Sequence, residues 1–129
     1  MKTNAIYTSS YKAMQDRIKG DTDIYIQVSR SLGHYDSPDD ATGLKEKIDE
    51  DWGEEFGNWW TDETSYKKGV SKKDLRRFAK HLRELKENCN VFLLCFENVL
   101  AGEVCHRRWL AKILHQGYGL CIDEWGGEE

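Results

Sequence analysis

Residues 91–97, VFLLCFE, form a nearly continuous apolar run of the length of a β-strand. A strand that is apolar on both faces belongs in the centre of a sheet with helices packed on both sides. The preceding segment, residues 71–88, carries Leu75, Phe78 and Leu82 at helical spacing along one face. An amphipathic helix followed by a doubly buried strand predicts a domain of the α/β class.

Further strands and helices alternate along the rest of the chain. Apolar patterns and turn residues predict strands at 5–10, 23–30 and 119–125, and helices or short helical segments at 11–20, 43–51, 54–67 and 103–117. This alternation implies parallel strands joined by right-handed crossovers. We therefore expect one three-layer α/β/α domain over residues 1–129, with a mostly parallel sheet of four or slightly more strands.

The composition argues against several classes of protein. Five Trp, six Tyr and four Phe in 129 residues are too many for a disordered chain. The net charge of −4 argues against a non-specific nucleic-acid binder, because such binding requires surplus Lys and Arg. No apolar segment approaches the roughly 20 residues of a membrane span. We expect a cytoplasmic protein without a membrane partner. The net charge also argues against a nucleic-acid partner, but it leaves local basic patches open.

The four cysteines lie at positions 89, 95, 105 and 121. In a reducing compartment they are expected to be thiols. No pair has the spacing of a zinc ribbon or zinc finger, and Cys95, Cys105 and His106 together lack a visible fourth ligand. The sequence predicts neither a metal site nor another cofactor.

Parallel α/β sheets bind ligands beyond the carboxyl ends of their strands, where the loops meet. The predicted strand ends and the following loops place ten candidate residues there. The candidates for ligand contact are Ser9, Ser10, Arg30, His34, Cys95, Arg107 and Asp123, and those for catalysis are Glu97, Cys105 and His106.

Arg107 and Arg108 open the predicted helix after the apolar strand. Positive charge is unfavourable at a helix N-terminus, by about 0.3–1 kcal/mol for each residue. A compensating negative group is therefore expected, and two kinds are equally plausible. One is a bound phosphate or carboxylate, and the other is a protein carboxylate such as Glu97, Glu103 or Asp123, which would form an internal ion pair.

The catalytic candidates have structural alternatives. Cys105 stands in the positive field of the helix start beside His106, so an accessible thiolate there would be reactive, whereas a buried thiol would simply pack. Glu97 suits either a general base or a partner for an arginine. If turnover occurs, Glu97 and His106 are the acid and base, and Cys105 is the nucleophile.

The segments IYTSSY, VSRSLG, VFLLCFE and CHRRWLAKIL, in this order, resemble the family called domain of unknown function 488. The resemblance implies a small Rossmann-like fold with a Cys-Glu and Cys-His-Arg cluster of unestablished activity. The family motif corresponds to Cys95, Glu97, Cys105, His106 and Arg107 in this sequence, with Ser10 and Arg30 near the motifs of the first two strands. The turn TSSY replaces a Gly-His-Ser sequence that many relatives have.

Two functions follow from these patterns. The first is binding of a small anionic ligand, a nucleotide or a nucleotide-derived molecule, at the carboxyl ends of the strands, with or without turnover. The second is a non-enzymatic interaction protein of phage or mobile-element type that sequesters a host signal molecule or a host protein. The protein contact would then use an exposed aromatic patch formed by Trp52, Phe56, Trp59 and Trp60.

The helix at 71–88 also carries a row of Lys and Arg residues that could contact nucleic acid. Such a row is more often a solvated face. Glu84 and Glu87 are spaced to pair with Lys80 and Arg83 on the same helix, which favours the solvated face.

Overall fold

The computed structural model describes residues 4–57, 62–95 and 106–125. Within these ranges the chain forms five β-strands and six α-helices, with a 3₁₀ turn at Gly33–Asp36. In chain order the elements are β1 (Ile6–Ser10), α1 (Tyr11–Gln15), β2 (Asp23–Gln27), α2 (Leu44–Lys47), β3 (Glu50–Asp51), α3 (Gly53–Phe56), α4 (Glu63–Gly69), α5 (Lys72–Lys86), β4 (Asn90–Cys95), α6 (His106–Tyr118) and β5 (Ile122–Glu124).

The strands form a single sheet in the order β3-β2-β4-β1-β5, and every neighbouring pair is parallel. This confirms the α/β prediction. β4 occupies the centre, as the apolar run at 91–97 predicted. Val91, Leu93 and Cys95 enter one core cluster, and Phe92 and Leu94 enter the other, because successive side chains of a strand point to opposite faces.

Helices cover both faces of the sheet, which gives the three layers. One cluster joins α1 and α2 to the sheet through Tyr11, Met14 and Leu44. The opposite cluster contains the apolar residues of α4, α5 and α6, among them Phe78 and Leu110. None of the helices in the described ranges combines the length and the apolar character that a bilayer crossing requires.

α1 is shorter than the predicted helix at 11–20, because tertiary contacts end it at Gln15. Lys47 Nζ donates to the carbonyl oxygens of Gln15 and Arg17 at 3.0 and 3.2 Å. The Arg17 guanidinium then turns towards β2 and binds Asp23 at 2.9 Å. The start of the helix is as local rules suggest, since Ser10 Oγ accepts from the Ala13 N–H at 3.1 Å.

The prediction of a helix at 43–51 is wrong after Lys47, where the chain forms β3 instead. This strand is held by polar backbone contacts and not by an apolar pattern. The Asp49 N–H donates to the Tyr25 carbonyl at 2.8 Å, and the Tyr25 N–H donates to the Asp49 carboxylate at 2.9 Å. The segment 54–67, whose structure was left open, divides into α3 and α4.

Candidate ligand site at the carboxyl end of the sheet

The chain reverses its direction of travel across the sheet between β1 and β4. From β1 the chain moves past β4 to β2, and from β4 it moves past β1 to β5. Ser10 and Cys95, the last residues of the two strands, lie opposite each other in the register. Such a reversal opens a crevice beyond the carboxyl ends of the strands, and this is where ligands bind in parallel α/β sheets.

Buried polar side chains are concentrated at this end of the sheet. Of the seven buried polar or charged residues in the described ranges, only Asp23 lies elsewhere, at the start of β2. The other six belong to the last three residues of β1, the end of β2 and the loop after it, and the start of α6: Thr8, Ser9, Ser10, Gln27, Ser29 and Arg107. Because burying polar groups is costly unless they are hydrogen-bonded, their partners define the site.

Arg107 is the largest buried side chain in this group, with 0% of its surface exposed. It forms a two-point contact with Glu124 on β5, from Nη2 to Oε2 at 2.7 Å and from Nε to Oε1 at 3.3 Å. Its Nη1 lies 3.9 Å from the Cys95 sulfur. A carboxylate held by two guanidinium N–H groups is the strongest common ion-pair geometry, so Arg107 ties α6 to β5.

This carboxylate is not one of the three that the sequence suggested. Asp123 is exposed on β5, while Glu97 and Glu103 lie outside the described residues. Neighbouring residues on a strand point to opposite faces, so Glu124, and not Asp123, faces α6.

Arg108 reaches the same carboxylate less closely. Its Nη1 donates to Thr8 Oγ1 at 2.8 Å and lies 3.9 Å from Glu124 Oε1, while the Thr8 hydroxyl donates to Glu124 Oε1 at 2.7 Å. The Arg108 side chain is 35% exposed, and the first turn of α6 contains no acidic residue. Within the described structure, two guanidinium groups therefore share the Glu124 carboxylate. Arg108, the more exposed of the two, has the weaker interaction with it.

The buried serines at this end of the sheet hold the chain in place. Ser9 Oγ donates to the Trp125 carbonyl at 2.6 Å. Ser29 Oγ donates to the Ser31 carbonyl at 2.8 Å and shares a hydrogen bond of 2.5 Å with the Tyr11 hydroxyl. These bonds fix the residues that follow β2 and β5.

Two glycines of α3 and its C-terminal end allow close packing on the loop after β2. A Cβ atom at Gly53 would lie 2.0 Å from the Ser29 carbonyl oxygen, and one at Gly57 would lie 2.6 Å from the Arg30 nitrogen. Only glycine fits such an approach without movement of the backbone. α3 thus holds the loop that carries Arg30, whose side chain is exposed.

His106 also contacts this loop. Its Nε2 lies 3.0 Å from the Val28 carbonyl, which only accepts, so Nε2 carries a hydrogen. The imidazole lies beside the Tyr66 ring, with centroids 5.7 Å apart. The Tyr66 hydroxyl donates to the Phe56 carbonyl at 2.7 Å, and burial raises its pKa far above the usual value. In this structure His106 links α6 to the end of β2.

The catalytic group predicted around His106 is not assembled by the described residues, since Glu97 and Cys105 lie outside them. Cys95 is disulfide-bonded, whereas Cys89 and Cys121 are free thiols. The prediction that all four cysteines are thiols is therefore wrong for Cys95.

The other sequence candidates divide into two groups. Ser10, Cys95 and Arg107 come together at the crevice, and Ser9, Arg30 and His106 lie on segments that border it. Asp123 faces solvent, and His34 is exposed in the 3₁₀ turn, where it packs against Tyr35 at 4.0 Å between ring centroids. Sequence reasoning missed Thr8, Arg108 and Glu124 as members of the site. Thr8 and Glu124 are register partners in the parallel strands β1 and β5, so their side chains point to the same face of the sheet. The alternation of side chains along these two strands is the signal that could have identified this pair.

The aromatic patch suggested for a protein partner is divided between core and surface. Phe56 is fully buried. Trp52 is half-buried, with its ring 4.6 Å from that of Phe78 and the Arg77 guanidinium 4.8 Å above it. Trp59 and Trp60 lie outside the described residues.

Comparisons with known proteins identify no relative of this chain. No family model matches the chain, and no curated protein and no solved structure is significantly similar to it. The resemblance to domain of unknown function 488 stays a prediction. Among the residues that the structure describes, no group of three or more His, Cys, Asp or Glu side chains could hold a metal ion.

Proposed function

We propose that the chain binds a small anionic ligand, a nucleotide or a nucleotide-derived molecule, at the carboxyl end of its sheet. The observation that carries this proposal is the sharing of Glu124 by Arg107 and Arg108 at the start of α6. The bound anion would supply the negative charge that Arg108 receives only weakly from Glu124. The start of a helix favours the same charge through its dipole.

The two arginines have different roles in this proposal. Arg107 is buried and bound at two points, so it positions α6 against β5. Arg108 is partly exposed and keeps donor capacity beyond its bond to Thr8, so it provides the contact with the ligand. Arg30, exposed after β2, adds positive charge on the other side of the crevice.

We propose binding and no specific reaction. The candidates for catalysis remain those predicted from the sequence, Glu97, Cys105 and His106. His106 is half-buried beside the crevice and already donates to Val28, which supports a positioning role. A cytoplasmic location stays a prediction. Interaction with a host protein is the competing function, and the complete burial of Phe56 removes one residue from the surface it would need.

The proposal can be tested by calorimetry and thermal unfolding with inorganic phosphate, AMP and ADP, with uncharged adenosine as the control ligand. The phosphate-bearing molecules are expected to stabilise the wild type, and adenosine is not. Arg108→Gln should weaken binding at least about tenfold, which is about 1.4 kcal/mol. Lys12→Gln, which removes an exposed charge on α1, should leave binding unchanged.

Equal losses in the two variants, or no stabilisation of the wild type by any anion, would contradict the proposal. Mass spectrometry of small molecules released from the purified protein would then distinguish an unrelated ligand from none. Capture of a protein and no small molecule would favour the competing function.

A further inference from the structure

A group of six exposed cations covers the end of α4 and the first half of α5, on the opposite side of the molecule from α1. We call this the basic surface, and its members are Lys67, Lys68, Lys72, Lys73, Arg76 and Lys80. It contains none of the residues assigned to the ligand site and does not enter the function proposed above.

The basic surface is not neutralised from within. Among the described residues, no carboxylate lies within ion-pair distance of any of the six, although cations close to them are paired. Arg77 contacts Asp74 and Glu55, and Lys112 contacts Glu63.

The pairing expected on α5 itself is also absent in the described structure. No ion pair joins Lys80 to Glu84 or Arg83 to Glu87, and Arg83 instead donates to the Tyr118 carbonyl. The ion pairs within α5 that favoured a solvated face are therefore not formed in the described structure.

The arrangement has a cost within the isolated helix. Lys72, Arg76 and Lys80 follow one another at intervals of four residues, which places like charges about 6 Å apart along the axis. Like charges at this spacing destabilise a helix. An anionic partner with repeated charges would remove that cost.

The surface also has a concave part. A groove of about 880 Å³ lies between the start of α4 and the start of α5, and three of the six cations, Lys67, Lys68 and Lys72, line it. Its one carboxylate, Glu63, is paired with Lys112 at 3.0 Å, and the rest of the lining is Thr64, Gly69, Val70 and Ser71. The remaining three extend from the groove along α5. A polymer of negative charges could occupy the groove and follow the helix.

We infer that the basic surface binds the sugar-phosphate backbone of a nucleic acid duplex. Protein interfaces depend on aromatic or large apolar anchors, and single-stranded nucleic acid is usually held by exposed aromatic rings. The described part of the basic surface carries neither kind of anchor, because the one large apolar side chain strongly exposed in the described ranges is Ile18, which follows α1. Backbone contacts to a duplex require only positive charge at regular spacing.

The net charge of −4 does not exclude this partner. At physiological ionic strength, charges further apart than about 8 Å are largely screened from each other. The six cations on α4 and α5 therefore set the local charge of the basic surface, because the carboxylates Glu63 and Asp74 in the same region are already paired with Lys112 and Arg77. Carboxylates on the other side of the molecule contribute little there.

The test compares two double variants that remove the same charge. Lys72→Gln with Arg76→Gln changes the basic surface, and Lys12→Gln with Lys45→Gln changes exposed cations elsewhere. Glutamine preserves helix propensity. Fluorescence anisotropy with a labelled duplex between about 50 and 200 mM salt gives the affinity and its salt dependence.

The wild type and the Lys12/Lys45 variant should bind alike. The Lys72/Arg76 variant should bind at least about tenfold more weakly at low salt, and its slope of log affinity against log salt should fall by about 1.8, for two lost phosphate contacts. Urea midpoints equal to that of the wild type establish that both variants are folded. Absent duplex binding by the wild type, equal losses in both variants, or tighter binding to single strands or anionic vesicles than to duplex would overturn the inference.

Discussion

Positive side chains differ in burial and in pairing between the carboxyl end of the sheet and the basic surface. Arg107 is fully buried and is held at two points by Glu124. Lys72 and Arg76 are exposed and have no carboxylate partner among the described residues. A buried charge must be compensated within the fold, whereas an exposed charge is solvated and remains available to an external partner.

Arg108 lies between these extremes. It is partly exposed and 3.9 Å from a carboxylate that Arg107 already holds. Arg17 is a second intermediate case, because it is also partly exposed, but its partner Asp23 is buried and close, at 2.9 Å. Burial and partner distance together indicate which cations support the fold and which can serve a ligand.

The largest effect is expected for Arg107→Ala. Removal of the guanidinium leaves the Glu124 carboxylate without its closest charged partner, so the free energy of unfolding should fall by about 3–5 kcal/mol. Urea unfolding without ligand measures this, with Arg108→Gln as the control, for which a loss below about 1 kcal/mol is expected. Equal losses for the two variants would contradict the division between a structural and a ligand-binding arginine.

The next effect concerns α3 and the loop that carries Arg30. Gly53→Ala places a Cβ atom 2.0 Å from the Ser29 carbonyl oxygen, so backbone must move, at a cost of about 1–3 kcal/mol. Gly117→Ala is the matched control, since its Cβ atom would meet nothing within 4 Å. That change in α6 should stabilise the helix by about 0.5–1 kcal/mol. Thermal unfolding that moves in the same direction for both variants would contradict the packing described here.

The Arg17–Asp23 pair predicts a pH dependence. Burial alone would raise the pKa of Asp23, but the Gly20 N–H and the Arg17 guanidinium donate to its carboxylate and lower the pKa overall. A lowered carboxyl pKa contributes stability that is present above the unfolded value of about 4 and is lost as the pH falls below it. Stability measured against pH should therefore fall less steeply in acid for Asp23→Asn than for the wild type. If stability falls equally steeply below about pH 4 in the variant and in the wild type, the Arg17–Asp23 pair contributes nothing to the acid dependence of stability.

The smallest effect on stability is expected at the basic surface. The double variant with Lys72→Gln and Arg76→Gln should stay within about 0.5 kcal/mol of the wild type, because solvated side chains away from partners contribute little. A small gain is consistent with relief of like-charge repulsion along α5. A loss above about 1 kcal/mol would show that these cations have structural partners.

The elements that sequence analysis predicted well are those whose signal is local. The apolar run of β4 and the spacing of Leu75, Phe78 and Leu82 in α5 report burial directly, so these elements and the α/β class were confirmed. The strand β3 was missed because Glu50 and Asp51 carry no apolar pattern. Its pairing depends on backbone bonds to β2, which no local pattern encodes.

The candidate site was predictable only in outline. The carboxyl end of the sheet follows from strand order, and Ser10, Cys95 and Arg107 were placed there from the sequence. To predict the partner of Arg107, one must know which side chains of β5 face α6. A register shift of one residue would exchange Glu124 for Asp123 on that face. The disulfide at Cys95 was missed because neither cysteine spacing nor composition indicated one.

The variant Glu124→Gln shows most directly whether an anion binds where Arg107 and Arg108 share one carboxylate. The variant removes the protein's own negative charge from both guanidinium groups, so it should be less stable than the wild type. Added inorganic phosphate should then raise its melting temperature by more than it raises that of the wild type, because the anion replaces the lost carboxylate. A phosphate effect that is no larger in Glu124→Gln than in the wild type would show that no anion binds beside Arg107 and Arg108.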